Sequence, residues 1–308
     1  MNETLKTITI GIPAHNEDAN IENLLTSITA QKSTSFVLER IIVACDGCTD
    51  KTADLANKFA RSDSRVEVID DSRRVGKLKR LTEIYSLNHS DIVLIFDADI
   101  VLAHDNVVDE IVKRFDDPSV GLVSGNSQPV KAETFVGKVI NAWSHVWYES
   151  RMAYRNGNNV HNSRGCCLAL RKDLAQKVII PEEIISDSQY LYFFCLSYKL
   201  AFKLAKKAVV LYRKPSNLND YLIQTTRSDD ENKKIARQLG PWIYQEYKIP
   251  TKYKFLAVIR CLINDPLFTV LGAGFNILSQ LSKKLLKTSP KNQATWEMAQ
   301  STKKAIIN

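Results

Sequence analysis

The segment Asp91-Ile92-Val93-Leu94-Ile95-Phe96-Asp97-Ala98-Asp99 constrains the fold more than any other stretch of this chain. Five consecutive apolar residues run straight into two carboxylates one residue apart. So short a run, rich in β-branched and aromatic types, fits a strand buried on both faces better than a helix. In open sheets of parallel strands, ligands collect beyond the strands' carboxyl ends, which is where Asp97 and Asp99 fall. Two acids with no basic neighbour in sequence repel each other unless a cation sits between them. Hard oxygen donors on a turn suit Mg2+ or Mn2+, ions that usually keep substrate phosphates as further ligands. Asp is also a common turn residue, so the pair read alone fits a plain strand end equally well.

The preceding chain alternates strands and helices at the rhythm of a doubly wound α/β sheet. Thr7–Pro13 alternates and is β-branched, and Ala14-His15-Asn16-Glu17 forms a polar turn before a helix that Asn20 is placed to cap. Ile41-Ile42-Val43-Ala44 is a second strand, ending in Asp46-Gly47-Cys48-Thr49-Asp50, where Asp46-Gly47 supplies a tight turn. Val66–Ile69 is a third, and Gly76-Lys77-Leu78-Lys79-Arg80 opens the helix before the acid-ended strand. Lys77 and Lys79 suit phosphate charge at a helix amino end, or a solvated helix face. Neither GxxxxGK[ST] nor GxGxxG occurs, which argues against a P-loop ATPase and a dinucleotide-dependent dehydrogenase.

Further on, Asn106–Phe115 reads as a helix and Val120–Gly125 as a strand, while Phe135–Tyr154 carries aromatics at helical spacing. In Asn162-Ser163-Arg164-Gly165-Cys166-Cys167, Gly165 permits close backbone approach to a ligand. Ser186-Asp187 precedes a strongly apolar helix. Asp187 is either a cap or, if it faces the metal's cleft, the general base. Arg227, in Gln224-Thr225-Thr226-Arg227, either binds a diphosphate or sits on a solvated helix.

Charge divides the chain. Residues 1–130 hold 14 Lys and Arg against 21 Asp and Glu, whereas residues 131–308 hold 28 against 13. An acidic catalytic half and a basic half facing something anionic follow. Without interleaved aromatic platforms nucleic acid is the weaker partner, and a membrane surface or lipid-linked phosphate the stronger. Six cysteines and a polar Met1–Lys6 point to a reduced, cytoplasmic setting without a signal peptide. Cys45-Asp46-Gly47-Cys48 has zinc-knuckle spacing but no second such pair, so two small buried residues at a strand end is the better account.

The last part changes character. Pro266–Leu281 is sixteen residues without a charge, followed by Lys283, Lys284 and Lys287. This is short of the ~20 apolar residues of a spanning helix. It reads as an interfacial helix over 255–287 touching the inner membrane face, or as a core or oligomer helix. Residues 289–308 read as a polar tail anchored by Trp296.

Taken in order, Ile10-Gly11-Ile12-Pro13-Ala14-His15-Asn16-Glu17, Asp46-Gly47-Cys48-Thr49-Asp50, Asp97-Ala98-Asp99, Ser186-Asp187 and Gln224–Arg227 resemble the motif set of family 2 glycosyltransferases, over roughly residues 5–235. The resemblance implies a GT-A fold, an α/β doubly wound mixed sheet, over 1–235, with a C-terminal helical extension over 236–308. It further implies inverting, metal-dependent transfer of a sugar from a nucleotide-diphosphate donor, UDP-linked, to a hydroxyl of a carbohydrate or lipid-linked acceptor. In that picture Pro13, His15 and Glu17 line the nucleoside site, with Asp46 at the nucleobase and Lys77 near the diphosphate. Asp97 contacts the donor ribose or sugar and shares with Asp99 a Mn2+ or Mg2+ ion, while Asp187 deprotonates the acceptor.

Cys48 stands where the family usually has Ser, and Ser186 where an acid is frequent before the base. Ser228 follows Arg227 where processive synthases carry Trp, which favours single addition. Two rivals remain at this level: a nucleotidyltransferase that makes the nucleotide sugar, and a non-catalytic binding or scaffold protein on the same fold.

Overall fold

The computed structural model describes residues 5–225, 231–286 and 300–306. Eight strands form one sheet: β1 (Lys6–Ala14), β2 (Phe36–Asp46), β3 (Val66–Asp71), β4 (Ile92–Phe96), β5 (Ile100–Leu102), β6 (Val120–Pro129), β7 (Cys167–Arg171) and β8 (Ala201–Tyr212). Their spatial order is β3-β2-β1-β4-β7-β6-β8-β5. β3, β2, β1 and β4 run parallel, β7 is antiparallel to both β4 and β6, and β8 is parallel to β6. The sheet is thus mixed, as expected.

Period-two alternation explains why the apolar strands hold the centre. In β4 the side chains of Ile92, Leu94 and Phe96 enter one core, and Val93 and Ile95 enter the other. All five are buried, each burial being worth about 1.5–3 kcal/mol. The first core is closed by α1 (Ile21–Thr29), α2 (Thr52–Ala60) and α4 (Val107–Val112). The second lies under α3 (Lys77–Leu87) and, beyond the long α5 (Phe135–Ala153) and short α6 (Lys172–Ala175), under α7 (Asp187–Ser197). Tyr190–Cys195 of α7 are all buried, so that helix sits on the sheet with apolar residues all round.

Beyond α8 (Leu218–Thr225), α9 (Glu231–Leu239) and α10 (Ile243–Glu246), two longer helices complete the described chain before the final segment. They are α11 (Thr251–Asn264) and α12 (Pro266–Leu286), and both pack against α5. Pro266 is the first residue of α12, where its missing N–H costs nothing. No helix among the described residues is long and apolar enough to cross a membrane.

One local expectation is corrected. Asn20 does not cap α1 with its side chain. Its amide instead donates to the carbonyls of Ala98 and Ile100, each at 2.9 Å, tying the first helix to the turn after β4. The competing interaction wins because the turn after β4 is buried and its carbonyls have to be satisfied.

Candidate active site

The chain leaves β1 toward β2 and β3 on one side and returns to β4 on the other. The crevice between the carboxyl ends of β1 and β4 is therefore the switch point at which open α/β sheets bind ligands. Pro13 is buried in β1, in register with Ala44 of β2. His15 and Glu17 follow β1, and Asp97 and Asp99 follow β4.

Asp46, at the end of β2, is turned toward the loop before α3. Its carboxylate accepts from the Val75 and Gly76 N–H groups at 2.8 and 2.9 Å and from Arg80 Nε at 3.2 Å. Gly76 takes φ 97°, a left-handed value that a side chain would strain. Arg80 is 3% exposed and also pairs with Asp71 and Glu83. The Asp46 carbonyl, meanwhile, binds His15 Nδ1 at 2.7 Å. Burial lowers the His15 pKa, leaving a neutral ring as the favoured form near pH 7.

This loop delivers Lys77. Its ammonium lies 2.7 Å from Asp97 Oδ1 and 3.2 Å from Asp187 Oδ2. Gly165 closes the group: a Cβ there would stand 3.2 Å from Asp187 Oδ1 and 3.3 Å from Lys77 Nζ. Four residues from four separate segments thus converge on one point. Burial alone would lower the Lys77 pKa, but Asp187 and Asp97 override it and hold the ammonium well above its usual range. Asp97 is pushed up to about 6, chiefly by burial and then by Asp99 and Asp187, against the pull of Lys77. Asp187 opens α7 as expected, yet its carboxylate faces this cluster.

Two groups that the sequence did not single out fix these positions. Glu231 is 2% exposed, and its Oε1 accepts from the Ile185 and Ser186 N–H groups at 2.8 and 2.7 Å, holding the turn before Asp187. Lys303, in the final segment, pairs with Glu17 and donates to the His15 carbonyl at 3.1 Å. That segment is anchored by Ile306, 2% exposed, whose N–H donates to Asn20 Oδ1 at 3.1 Å. Burial and Asp99 push Glu17 up to about 8 despite Lys303. Trp296, the expected anchor of the tail, lies outside the described residues, as do Arg227 and Lys287.

The donor set suits a hard divalent cation. Burial raises the Asp99 pKa as it does that of Asp97, so both acids gain from a cation between them. Among the described residues no three His, Cys, Asp or Glu side chains form a complete metal cage. A site of one or two carboxylates, finished by phosphate oxygens and water, is the usual arrangement for such ions. Of the Cys45–Cys48 pair, Cys45 is buried, and half-buried Cys48 donates through Sγ to the Ala14 carbonyl at 3.6 Å.

A family model described as glycosyl transferase family 2 matches residues 9–178. An N-acetylglucosaminyltransferase of Rhizobium leguminosarum bv. trifolii is 33% identical over 123 residues, 40% of this chain and 67% of that protein. A poly-beta-1,6-N-acetyl-D-glucosamine synthase of Staphylococcus aureus is 28% identical over 137 residues, 44% of this chain but only 32% of that protein. Among solved structures, mannosyltransferase PcManGT from Pyrobaculum calidifontis, in complex with GDP-Man and Mn2+, superposes with TM-score 0.61 and 17% identity, over 93% of this chain and 77% of its own. Glucosyl-3-phosphoglycerate synthase from Mycobacterium tuberculosis, with Mn2+, UDP and phosphoglyceric acid, does so with TM-score 0.53 and 20% identity, over 76% and 79%. At these identities the structures establish the fold, which is GT-A.

Proposed function

Because this chain belongs to glycosyl transferase family 2, we propose that its cleft transfers a sugar, with inversion, from a nucleotide-diphosphate donor to an acceptor hydroxyl. The observation that carries this reading is the meeting of Lys77, Asp97, Gly165 and Asp187. A base and a phosphate-binding cation within reach of one another are what displacement at an anomeric carbon requires. The nucleotides and Mn2+ held by the solved neighbours support a nucleotide donor and a divalent ion here.

In this account His15 and Glu17 border the nucleoside, and Asp46 fastens the loop that presents Lys77. Asp99, with Asp97, would hold Mn2+ or Mg2+, which neutralises charge on the departing diphosphate when bound. Lys77 supplies further positive charge to the same oxygens. A donor diphosphate competes with Asp187 for the Lys77 ammonium, so donor binding frees the carboxylate as it becomes needed. Asp187 Oδ then accepts the proton of the acceptor hydroxyl as its oxygen attacks the anomeric carbon in line. Gly165 leaves room for the acceptor beside that carboxylate.

The outer faces of α11 and α12 complete the reading. Phe255, Ile263, Leu267, Val270 and Leu278 are each more than 60% exposed, and Lys252, Lys254 and Arg260 lie among them. This pair of helices acts as a peripheral contact with an anionic lipid surface.

Asp187→Asn tests the assignment. The variant should bind UDP with unchanged affinity while transfer falls by about two to four orders of magnitude. Loss of UDP binding, or transfer at the wild-type rate, would contradict the role.

A further inference from the structure

A second dense group of charges borders the cleft, and it is cationic. Arg151 on α5, Arg164 immediately before Gly165, and Lys214 just after β8 come together from three segments. The Arg164 guanidinium and the Lys214 ammonium lie 5.5 and 6.0 Å from the centre of one ring, Tyr212. Arg151 stands 5.1 Å from the Tyr148 ring. An aromatic face offsets only part of the cost of drawing cations out of water side by side.

Carboxylates do not make up the difference. Among the described residues none of the three forms an ion pair, and Asp97, which acts on Arg164 from across the cleft, is already engaged by Lys77. Arg151 is 5% exposed. Its Nη1 donates to Asn162 Oδ1 and to the His161 carbonyl, but its Nε is buried without a partner. Burial, then Arg164 and Arg151, lowers the Lys214 pKa to about 7. The cluster resists its own last positive charge, which an anion would restore.

We propose that Arg151, Arg164 and Lys214 form a subsite for a phosphoryl group of the acceptor. The proposal rests on the glycosyltransferase reading and names the acceptor class that reading left open. Two guanidinium forks and an ammonium match the oxygens of a phosphate ester. The group belongs to the acceptor because Arg164 adjoins Gly165, which lies against Asp187, whereas the donor diphosphate has Lys77 and the Asp97–Asp99 side. α5, which carries Tyr148 and Arg151, also carries the apolar pair α11 and α12. A phosphoester of a soluble acceptor and one at the head of a lipid share this chemistry.

Thermal unfolding of the whole chain, held at saturating UDP and Mg2+, separates the possibilities. Added inorganic phosphate should raise the wild-type Tm beyond chloride of equal ionic strength. The rise should shrink at least threefold in Lys214→Ala and Arg164→Gln and persist in Lys214→Arg. The stabilisation by UDP itself should survive in every variant, which also shows that each one folds. An equal phosphate response in Lys214→Ala and Arg164→Gln, or none in the wild type, overturns the proposal. So does loss of the UDP response in those two variants, because the cluster would then serve the donor diphosphate. A wild type that answers phosphate but not UDP contradicts the donor reading and leaves the anion site standing. Glycerol 3-phosphate and phosphatidic acid vesicles then identify the source. A response to the first marks a soluble acceptor, and Lys214-dependent co-sedimentation with the second marks a lipid-linked one.

Discussion

The acidic side of the cleft stands on the ends of two central parallel strands, with Glu17 three residues beyond β1 and Asp97 directly after β4. The basic side is assembled from a helix, a loop and the exit of a strand, at Arg151, Arg164 and Lys214. The acidic side already holds cations, Lys77 on Asp97 and Lys303 on Glu17. The basic side holds no carboxylate partner among the described residues. On the proposed reading, cations already in place on one side and missing anions on the other suit two ligands of different kinds. A metal–diphosphate complex can replace lysine contacts on the first side, and an anion can complete the second.

The largest effect falls at Lys77. Lys77→Met removes the cation shared by Asp97 and Asp187, and kcat should fall about 10²–10³-fold, the range for a lost charge-stabilising donor. A smaller loss in kcat accompanied by a large rise in donor KM would restrict Lys77 to binding. Gly165→Ala sharpens the boundary between the two sides. Its methyl group would displace the Asp187 carboxylate by a few tenths of an ångström, and misplacements of this kind should lower kcat about tenfold. The Tm should hardly move, because the neighbours are polar side-chain ends at the cleft. An unchanged kcat would show that Asp187 tolerates displacement and is no base.

The smallest effect concerns Glu17. Its folded-state pKa of about 8 lies above the ordinary 4.5, so the folded protein holds a proton there that the unfolded chain releases. That stability is present below pH 4.5 and is lost as pH rises toward 8. The wild-type Tm should therefore decline across this window by a few degrees, and Glu17→Gln should decline less. Parallel curves for the two proteins would mean that Lys303 fully offsets the burial.

The sequence made the acidic side legible and left the basic side largely hidden. An apolar run ending in acids is a local pattern, and burial of alternate residues of β4 in two cores is its direct expression. Asp187 stood out for the same reason, as an acid set before an apolar helix. Lys303 gave no such signal, since its partner Glu17 lies 286 positions away. Glu231 gave none either, and only the fold turns it toward the Ser186 amide. Arg151 and Arg164 were visible as residues but not as a pair, because periodicity encodes which face is buried and not which distant faces meet. Asp46 is the converse case: the resemblance places it at the nucleobase, and the fold adds what no motif signals, that its carboxylate accepts from the loop before α3.

If, as proposed, Lys77 serves the leaving group and Asp187 deprotonates the acceptor, the anomeric centre inverts. The most direct measurement uses water as the acceptor, recording the 1H NMR spectrum of the sugar released from an α-linked UDP-sugar before mutarotation sets in. The β anomer should appear first. Initial release of the α anomer would mean retention, and would contradict attack assisted by Asp187 from the face opposite the diphosphate.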